Sequence, residues 1–281
     1  MVFPSQDKSR FAETEYARFR QFLEASCGIL LGDNKNYLID SRLRKLLLDR
    51  NLSSLLELLK VIEQPGGRTL RQEVIDAMTT NETLWFRDRH PFTYLQDTLL
   101  PELARRPGEI SIWCAACSSG QEPYSISICV EAQRRRNMSL TNKQVRILAT
   151  DISSRVLAQA REGIYEPLAL KRGMTDDKLR QYFTAQSDGR WQIKPEIKRR
   201  VDFRPINLKE NFLSIGKFDV VFCRNVLIYF SSDLQRQILS NIHRVMKPGG
   251  YLFLGGSETP KGLNELFEIQ YYSPGVVYLK K

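Results

Sequence analysis

Polar residues follow three of the strand-like runs in this chain, where a ligand bound to an open α/β sheet would be within reach. Asp151, Asn207 and Asn225 each come at or just after the end of such a run. A carboxylate there accepts both hydroxyls of a ribose, and an amide bonds an adenine edge or the polar end of an amino acid. Each residue also has a purely structural interpretation, since Asp151 suits a helix N-cap and asparagine suits turns.

A second candidate element is the segment Cys114–Tyr124, which joins the first strand-like run to a predicted helix and is rich in small residues. Small residues let a ligand approach the backbone, and a helix start offers unpaired N–H groups. The dinucleotide pattern G-x-G-x-x-G is absent. This segment alone therefore favours only a tight turn between a strand and a helix.

Polar and aromatic residues are interleaved in Met78–Asp88, where a helical part of the chain meets an α/β part. This composition favours a binding site, although a plain hinge also fits it. Arg87 supplies a planar guanidinium suited to a carboxylate of a cofactor or of a substrate. The alternative for Arg87 is a surface ion pair with Asp88 or another neighbour.

The cysteines do not form a pattern typical of a metal site or a disulfide framework. There are five, an odd and scattered set, and there are only two histidines. Cys114 and Cys117 lack the second ligand pair that a zinc site needs. We therefore expect no metal, and we interpret these two residues as small buried side chains at a strand end.

The elements that must position these residues change character near residue 79. Residues 1–78 show helical apolar spacing, whereas residues 79–281 alternate strand-like runs with helical stretches, which predicts a parallel sheet covered by helices on both faces. Asp188-Gly189 between two β-rich runs predicts a hairpin, and we assign a small β subdomain to about residues 181–204. The predicted strands are Glu109–Cys114, Val145–Thr150, Val201–Arg204, Phe218–Cys223, Tyr251–Leu254, Phe267–Tyr272 and Val276–Leu279.

Charge and hydropathy narrow the function classes. The chain carries a formal net charge of +10, of which residues 1–78 contribute only +1, from 12 basic and 11 acidic residues. A basic surface suits nucleic acid, an acidic membrane face or an acidic protein, and charge alone does not choose among them. No apolar run reaches about 18 residues, and Met1–Asp7 does not begin a secretory signal, so we expect a cytoplasmic protein without membrane insertion.

Taken together, the motifs resemble the chemotaxis-receptor glutamate methyltransferases, the CheR family. The resemblance rests on T-T-N-E-T-x-x-F-R, W-x-A-A-x-S-S-G-x-E-P-Y-S-I, A-T-D-I, R-N-V-L-I-Y-F and the Lys247–Gly250 turn that leads to G-G-S-E, in that order between Thr79 and Glu258. It implies a class I, Rossmann-like S-adenosylmethionine methyltransferase sheet with an N-terminal helical domain and a small inserted β subdomain.

By this resemblance the cofactor is S-adenosyl-L-methionine and the product S-adenosyl-L-homocysteine. The contacts it implies are Asn81, Thr83, Arg87, Glu122, Asp151, Asn207, Leu208, Asn225 and Val226. The reaction it implies is the formation of methyl esters on glutamate side chains. A glutamate is already ionised near neutral pH, with a reference pKa of about 4.3, so the reaction needs orientation and no general base. We assign orientation to Arg87 and a place in the acceptor pocket to Tyr229.

The resemblance also implies that the partners are the cytoplasmic methylation helices of membrane-bound receptors. We predict that the N-terminal domain recognises them through Arg42, Arg44 and Lys45, on a helix whose stripe of Ile39, Leu43 and Leu46 faces the core. A solvated helix face is the alternative. The turn at Ser187-Asp188-Gly189 is short, which resembles relatives that need no C-terminal tether peptide on the receptor.

Two other functions stay open from the residues alone. One is a nucleic-acid methyltransferase of the same fold, favoured by the positive charge but lacking an Asn-Pro-Pro-aromatic run or a Pro-Cys nucleophile. The other is a module that binds S-adenosylmethionine or a nucleotide as a signal without catalysis. We expect no nucleic-acid partner.

Overall fold

The computed structural model describes residues 10–281, so the N-terminal segment Met1–Asp7 considered above lies outside the described residues. Two compact units emerge: residues 10–80 with Tyr229–Ser231, and Asn81–Ile228 with Ser232–Lys281. Within residues 10–281, no helix is both long and apolar enough to cross a membrane.

The first unit is helical, with four amphipathic helices that bury one face each. Ser54 caps the third of them, because its side chain accepts a hydrogen bond from the backbone N–H of Glu57. The four are α1 (Glu13–Cys27), α2 (Asn36–Asp49), α3 (Leu55–Glu63) and α4 (Arg68–Met78). A 3₁₀ turn at Asp33–Lys35 precedes α2.

The buried stripe of α2 differs from the predicted one in its last member. Ile39, Leu43 and Leu47 are fully buried, whereas Leu46 is only partly buried. Residues four apart lie nearly above one another on a helix, so Ile39, Leu43 and Leu47 form a straighter row than a stripe ending at Leu46.

The second unit contains ten strands in two sheets. The strands are β1 (Ile110–Ala115), β2 (Val145–Asp151), β3 (Ile164–Tyr165), β4 (Phe183–Ala185), β5 (Trp191–Ile193), β6 (Val201–Pro205), β7 (Phe218–Cys223), β8 (Met246–Leu254), β9 (Phe267–Tyr272) and β10 (Gly275–Lys280). Its helices are α5 (His90–Tyr94), α6 (Leu100–Arg105), α7 (Gln121–Arg134), α8 (Met138–Thr141), α9 (Ser154–Glu162), α10 (Pro167–Lys171), α11 (Asp176–Tyr182), α12 (Pro195–Lys198) and α13 (Ser232–Val245). A π-turn at Leu95–Leu99 links α5 to α6, and 3₁₀ turns occupy Leu213–Ile215 and Leu227–Tyr229.

The main sheet has the order β6-β2-β1-β7-β8-β10-β9. The first five strands are parallel and β10 runs antiparallel to both its neighbours, so the predicted parallel sheet with a closing hairpin is found. Both faces of β1 are buried: Ile112 and Cys114 join the large apolar cluster, while Trp113 packs against Phe212 and Phe218. Parallel strands that are buried on both faces consist of continuous apolar runs, which is why these strands could be predicted from the sequence.

One main-sheet strand begins earlier than predicted. β8 starts at Met246 and not at Tyr251, because Met246 pairs with Phe218 before the register shifts and Tyr251 pairs with Val220. The Pro-Gly-Gly segment at residues 248–250 thus forms an irregularity inside β8, whereas the sequence analysis placed this segment before the strand.

The small sheet differs from the predicted β subdomain at both ends. Its order is β3-β5-β4, with antiparallel pairing throughout, so it begins at Ile164 and ends at Ile193. Residues 201–205 belong to the main sheet as β6. The predicted hairpin at Asp188-Gly189 is present, with Gln186 N–H bonded to the Arg190 carbonyl at 2.8 Å.

A close backbone approach ties the segment around Trp85 to the loop between α10 and α11. The Trp85 N–H donates to the Arg172 carbonyl at 3.2 Å, and a Cβ on Gly173 would lie 2.0 Å from the Trp85 carbonyl oxygen. Gly173 also has φ +109°, a conformation that side chains disfavour.

We expect Gly173→Ala to lower the free energy of unfolding by clearly more than Gly189→Ala. Both glycines have positive φ, which alone costs an alanine about 1–2 kcal/mol, but Gly189 has open space where its Cβ would go. Urea unfolding of the two variants isolates the cost of the clash. Equal losses of stability would show that the contact with Trp85 is unimportant.

Candidate functional site

The carboxyl ends of β6, β2, β1 and β7 are adjacent in the sheet, and they bring together the polar residues singled out in the sequence. Asp151 is the last residue of β2, Asn207 lies two residues beyond β6, and Asn225 two residues beyond β7. This edge of a parallel sheet is where ligands bind in open α/β folds.

Asp151 connects two of these loops. One carboxylate oxygen accepts the Ser118 N–H at 2.8 Å and the other accepts the Ser153 N–H at 2.9 Å. The residue is only 7% exposed. The N-cap of α9 is Ser153, which accepts from the Val156 N–H, so the interpretation of Asp151 as that N-cap is wrong. Its carboxylate is therefore oriented before any ligand arrives.

The loop after β1 is wound tightly at the start of α7. Ala116, Ser118 and Gly120 have φ of 55°, 49° and 97°. A Cβ on Gly120 would lie 3.0 Å from both the Tyr165 hydroxyl and the Ala160 Cβ, so this position requires glycine. The Ser118 hydroxyl donates to the Asn81 carbonyl at 2.8 Å, which attaches the segment beginning at Asn81 to this loop.

Arg224 is a buried cation that joins three segments, and the sequence analysis assigns it no role. Its guanidinium donates to Glu122 and to Asp88, both at 2.6 Å, and to the Arg87 carbonyl at 3.0 Å. Its side chain is only 1% exposed and lies over the Phe92 ring. Asp88 forms its ion pair with Arg224, so the alternative of an ion pair for Arg87 is left with another neighbour.

Glu258 organises the loop after β7 in a similar way and was also missed. Its carboxylate accepts three backbone N–H groups, from Asn225 at 2.7 Å, Leu227 at 2.8 Å and Gly255 at 2.7 Å. Asn225 has φ 59°, an unfavourable conformation for most side chains. Three hydrogen bonds to one carboxylate stabilise that turn and so fix where Asn225 lies.

Backbone strain is concentrated at these loops. Seven non-glycine residues among residues 10–281 have positive φ, and all except Asn51 lie in or next to the loops of the candidate site. They are Phe86, Asp88, Arg89, Ala116, Ser118 and Asn225. Strained conformations persist only where surrounding contacts enforce them, and they gather at functional sites.

The segment from Asn81 onwards is anchored within the α/β unit. Trp85 is 1% exposed, and the Phe86 N–H donates to the Ser125 hydroxyl at 3.1 Å. Thr83 and Arg87 are partly exposed. The guanidinium of Arg172 and, more weakly, that of Arg87 lower the pKa of the Glu82 carboxyl, so Arg87 lies near an acid.

The remaining predicted residues lie as follows. The Asn207 side chain accepts from the Lys209 N–H at 3.1 Å and donates to Glu210, so it also makes the turn that the alternative interpretation expected. Leu208 is buried, and Val226 is partly buried. Tyr229, Arg42, Arg44 and Lys45 belong to the helical unit.

All five cysteines lie in the described part of the chain, where they are buried and form no disulfide. Burial raises the pKa of Cys114 and Cys117 well above the usual range, and the nearby Glu122 and Asp151 charges raise them further. The Cys114 thiol donates to Glu122 at 3.2 Å, a role that the sequence did not indicate. In residues 10–281 no three His, Cys, Asp or Glu side chains group as metal ligands.

This donor set fits S-adenosylmethionine. Fixed carboxylates at Asp151 and Glu122 suit hydroxyl and ammonium groups, and the Arg87 guanidinium suits the methionine carboxylate. A Cβ on Gly255 would lie 2.6 Å from Glu258 and 2.7 Å from the Asn225 amide, so backbone and polar side chains are closely packed at this edge.

Comparison with known proteins supports the same chemistry. Residues 14–79 match the family model "CheR methyltransferase, all-alpha domain", and residues 81–275 match "CheR methyltransferase, SAM binding domain". A chemotaxis protein methyltransferase of Pseudomonas aeruginosa is 50% identical over 96% of this chain and 99% of its own length. Chemotaxis protein methyltransferase Cher2 of Pseudomonas putida is 49% identical over 95% and 98%, and a Vibrio cholerae chemotaxis protein methyltransferase is 49% identical over 96% and 98%.

We expect Asp151→Ala to weaken binding of S-adenosylhomocysteine, the product, by about tenfold or more, because a hydrogen bond to a charged group contributes about 1.5–3 kcal/mol. The variant also loses stability, since two N–H groups lose their acceptor. Calorimetric titration of the folded variant measures the affinity, with Asp233→Ala on exposed α13 as the control. Unchanged affinity would remove Asp151 from the cofactor site.

Proposed function

The chain belongs to the CheR methyltransferase family, and we propose that it transfers methyl groups from S-adenosylmethionine to glutamate side chains of chemotaxis receptors. The observation that carries this proposal is that the two family models divide between the two units, at residues 79 and 81, close to where the structure divides them. The similarity to chemotaxis methyltransferases favours this function over a nucleic-acid methyltransferase or a non-catalytic module.

Asp151 is the proposed acceptor for the ribose hydroxyls, with Asn207 and Leu208 beside the adenine. We assign Asn81, Thr83, Glu122, Asn225 and Val226 to the rest of the cofactor. What supports these assignments is that Arg224, Glu258 and Ser118 hold the loops that carry them. A site held in this way is oriented before the cofactor binds, so less entropy is lost on binding.

The bound cofactor supplies a methyl group on a positively charged sulfur. The acceptor glutamate is already ionised, so the chain has to orient the carboxylate and exclude water. This agrees with the scarcity of histidine: His90 is hydrogen bonded to the Tyr272 hydroxyl, and burial lowers its pKa. We assign Arg87 to orientation, because its side chain is partly exposed while its backbone carbonyl is held by Arg224.

Tyr229 is the second residue that we assign to the acceptor. Its side chain is partly exposed, and its backbone carbonyl accepts the Leu30 N–H at 2.9 Å within the helical unit. That hydrogen bond constrains the backbone while leaving the phenol hydroxyl to meet an incoming carboxylate.

Receptor recognition is assigned to the exposed face of α2. Arg44 and Lys45 are exposed there, and so are Tyr37 at 56% and Leu48 at 63%. Residues 37, 41, 44, 45 and 48 follow helical spacing and share one side, so cations lie beside apolar side chains. Such a mixed face suits an acidic amphipathic helix better than solvent alone.

Arg42 has a different surrounding from Arg44 and Lys45. Its guanidinium donates to the Met78 carbonyl at 2.7 Å and to the Thr80 hydroxyl at 3.1 Å. It therefore ties α2 to the end of α4, and a charge reversal there would disturb the helical unit itself. The recognition surface is best tested at Arg44 and Lys45.

We further propose that the protein is recruited to membrane receptors without a C-terminal tether peptide. The hairpin of the small sheet is compact: β4 and β5 have three residues each, and the Asp188 side chain closes the turn by accepting the Arg190 N–H. Methylation of a receptor that lacks any tether peptide is the expected result.

Transfer of radiolabelled methyl groups to acidic receptor fragments tests the function. We expect wild-type protein to form base-labile esters, and Arg87→Ala to lose about a hundredfold or more in kcat/KM at nearly unchanged melting temperature. Arg180→Ala, in an exposed ion pair on α11, is the control. Methyl transfer to RNA or DNA in place of the receptor would overturn the proposed function.

Charge reversal of Arg44 and Lys45 to glutamate tests the recognition surface. We expect slower methylation at low salt with unchanged cofactor affinity, because charges at the rim of an interface act on encounter and register. Lys60→Glu with Arg68→Glu changes the net charge of the same unit equally at exposed positions elsewhere. If both double variants slow methylation alike, bulk charge and not this face governs recognition.

A further inference from the structure

A second cleft lies at the opposite edge of the main sheet from the candidate site. It is formed by the amino ends of β6, β2, β1 and β7, and its volume is about 590 Å³. β1 has six residues, and each residue of a strand advances the chain by about 3.3 Å, so the two edges lie roughly 20 Å apart along β1. The proposed methyl transfer uses none of the residues that line this cleft.

The cleft is strongly basic. Its lining includes six cations against two acids, Glu109 and Asp202. The cations are Arg134, Arg146, Arg199, Arg200, Arg204 and Lys217. Arg146 pairs with Glu109 and Arg204 with Asp202, in exposed ion pairs. Within the described residues, Arg134, Arg199 and Lys217 form no ion pair with any acid, so positive charge exceeds what the fold neutralises.

Arg200 lines this cleft, and burying its charged guanidinium costs folding free energy. It is 8% exposed, pairs with Glu131, and its Nε has no hydrogen-bond partner in residues 10–281. Burial lowers its pKa, and the charges of Arg134 and Arg199 lower it further. Glu131 compensates the charge of Arg200, so the cations that remain without an acid beside it are Arg134 and Arg199.

The shape and the apolar part of the cleft indicate the kind of anion. Arg146 and Leu148 alternate with Ile147 along β2 and so point to one face, as do Asp202 and Arg204 along β6. Leu148, Val201 and Ile215 add apolar surface beside the cations. A concave site of this size suits a small ligand, whereas a long polynucleotide usually follows an extended groove.

We propose that this cleft binds a small molecule with two or more linked phosphate groups, such as a nucleoside diphosphate. The arginine guanidiniums match phosphate oxygens in two-pronged hydrogen bonds, and the apolar surface receives the base or sugar. The site is independent of the cofactor site and of the proposed methyl transfer.

The test is calorimetric titration of the full chain, saturated with S-adenosylhomocysteine, at physiological salt. ADP and inorganic pyrophosphate are the probes, and adenosine is the uncharged control. We expect at least one polyphosphate to bind and adenosine not to bind. Binding of ADP alone means that the base contributes, and binding of both means that the phosphates suffice.

Variants then locate the site. Arg199→Gln with Arg204→Gln should weaken binding by about tenfold or more, and Lys217→Gln should weaken it less. Arg180→Gln with Arg236→Gln removes the same charge from exposed α11 and α13 and should leave binding unchanged. The substituted arginines are exposed, so we expect these variants to fold, and circular dichroism checks that they do.

Four results would overturn the proposal. The first is no binding of ADP or pyrophosphate at about 1 mM, and the second is binding that appears only in a parallel titration without S-adenosylhomocysteine. The third is equal weakening in the two double variants. The fourth is binding only of long oligonucleotides, with steep salt dependence, which would identify a polynucleotide surface.

Discussion

The candidate site depends on one buried cation. Arg224 is removed from water, and its charge is compensated by Glu122 and Asp88 at 2.6 Å each. Removing one partner of a buried ion pair typically costs about 3–5 kcal/mol, because the other charge is left uncompensated. Arg224 therefore holds together the segment around Asp88, the start of α7 and the end of β7. Breaking either of its two ion pairs would leave a charge without its partner.

This constraint explains why the surrounding backbone can be strained. Phe86, Asp88, Ala116, Ser118 and Asn225 all have positive φ. Each such residue costs on the order of 1–3 kcal/mol and relaxes unless neighbouring contacts prevent it. Arg224, Glu258 and Asp151 supply those contacts, with hydrogen bonds to the strained segments or their neighbours. Methyl transfer to an ionised carboxylate needs orientation more than acid–base chemistry, so a rigid site suits it.

Much of this fold could be predicted because its strands are buried on both faces. Such strands read as apolar runs, and Phe218–Cys223 was predicted to the residue. The polar residues after them then fall at one edge by topology alone. The two-residue strand Ile164–Tyr165 was missed because it is too short to show periodicity. The predicted stripe of α2 ends at Leu46, whereas the buried residue is Leu47, because residues three and four positions after Leu43 both fit a helical spacing.

The supporting residues were harder to predict than the proposed ligand contacts. Arg224 and Glu258 act through partners more than 30 residues away, such as Glu122 for Arg224 and Asn225 for Glu258. The spacing of residues along a short stretch of sequence cannot predict a contact between residues so far apart in the chain. Asp151 had a local signal, its place at a strand end, and Cys114 had none for its hydrogen bond to Glu122. Sequence patterns thus indicate which polar residues gather at one edge of the sheet better than they indicate which contacts hold those residues in place.

The most direct test of this account is the affinity of Arg224→Lys for S-adenosylhomocysteine, measured by calorimetry on protein shown to be folded. Lysine keeps the positive charge but cannot donate to Glu122, Asp88 and the Arg87 carbonyl through one planar fork. The account predicts a loss of about tenfold or more, because the loops that carry the proposed contacts lose their common anchor. Wild-type affinity in the folded variant would contradict it.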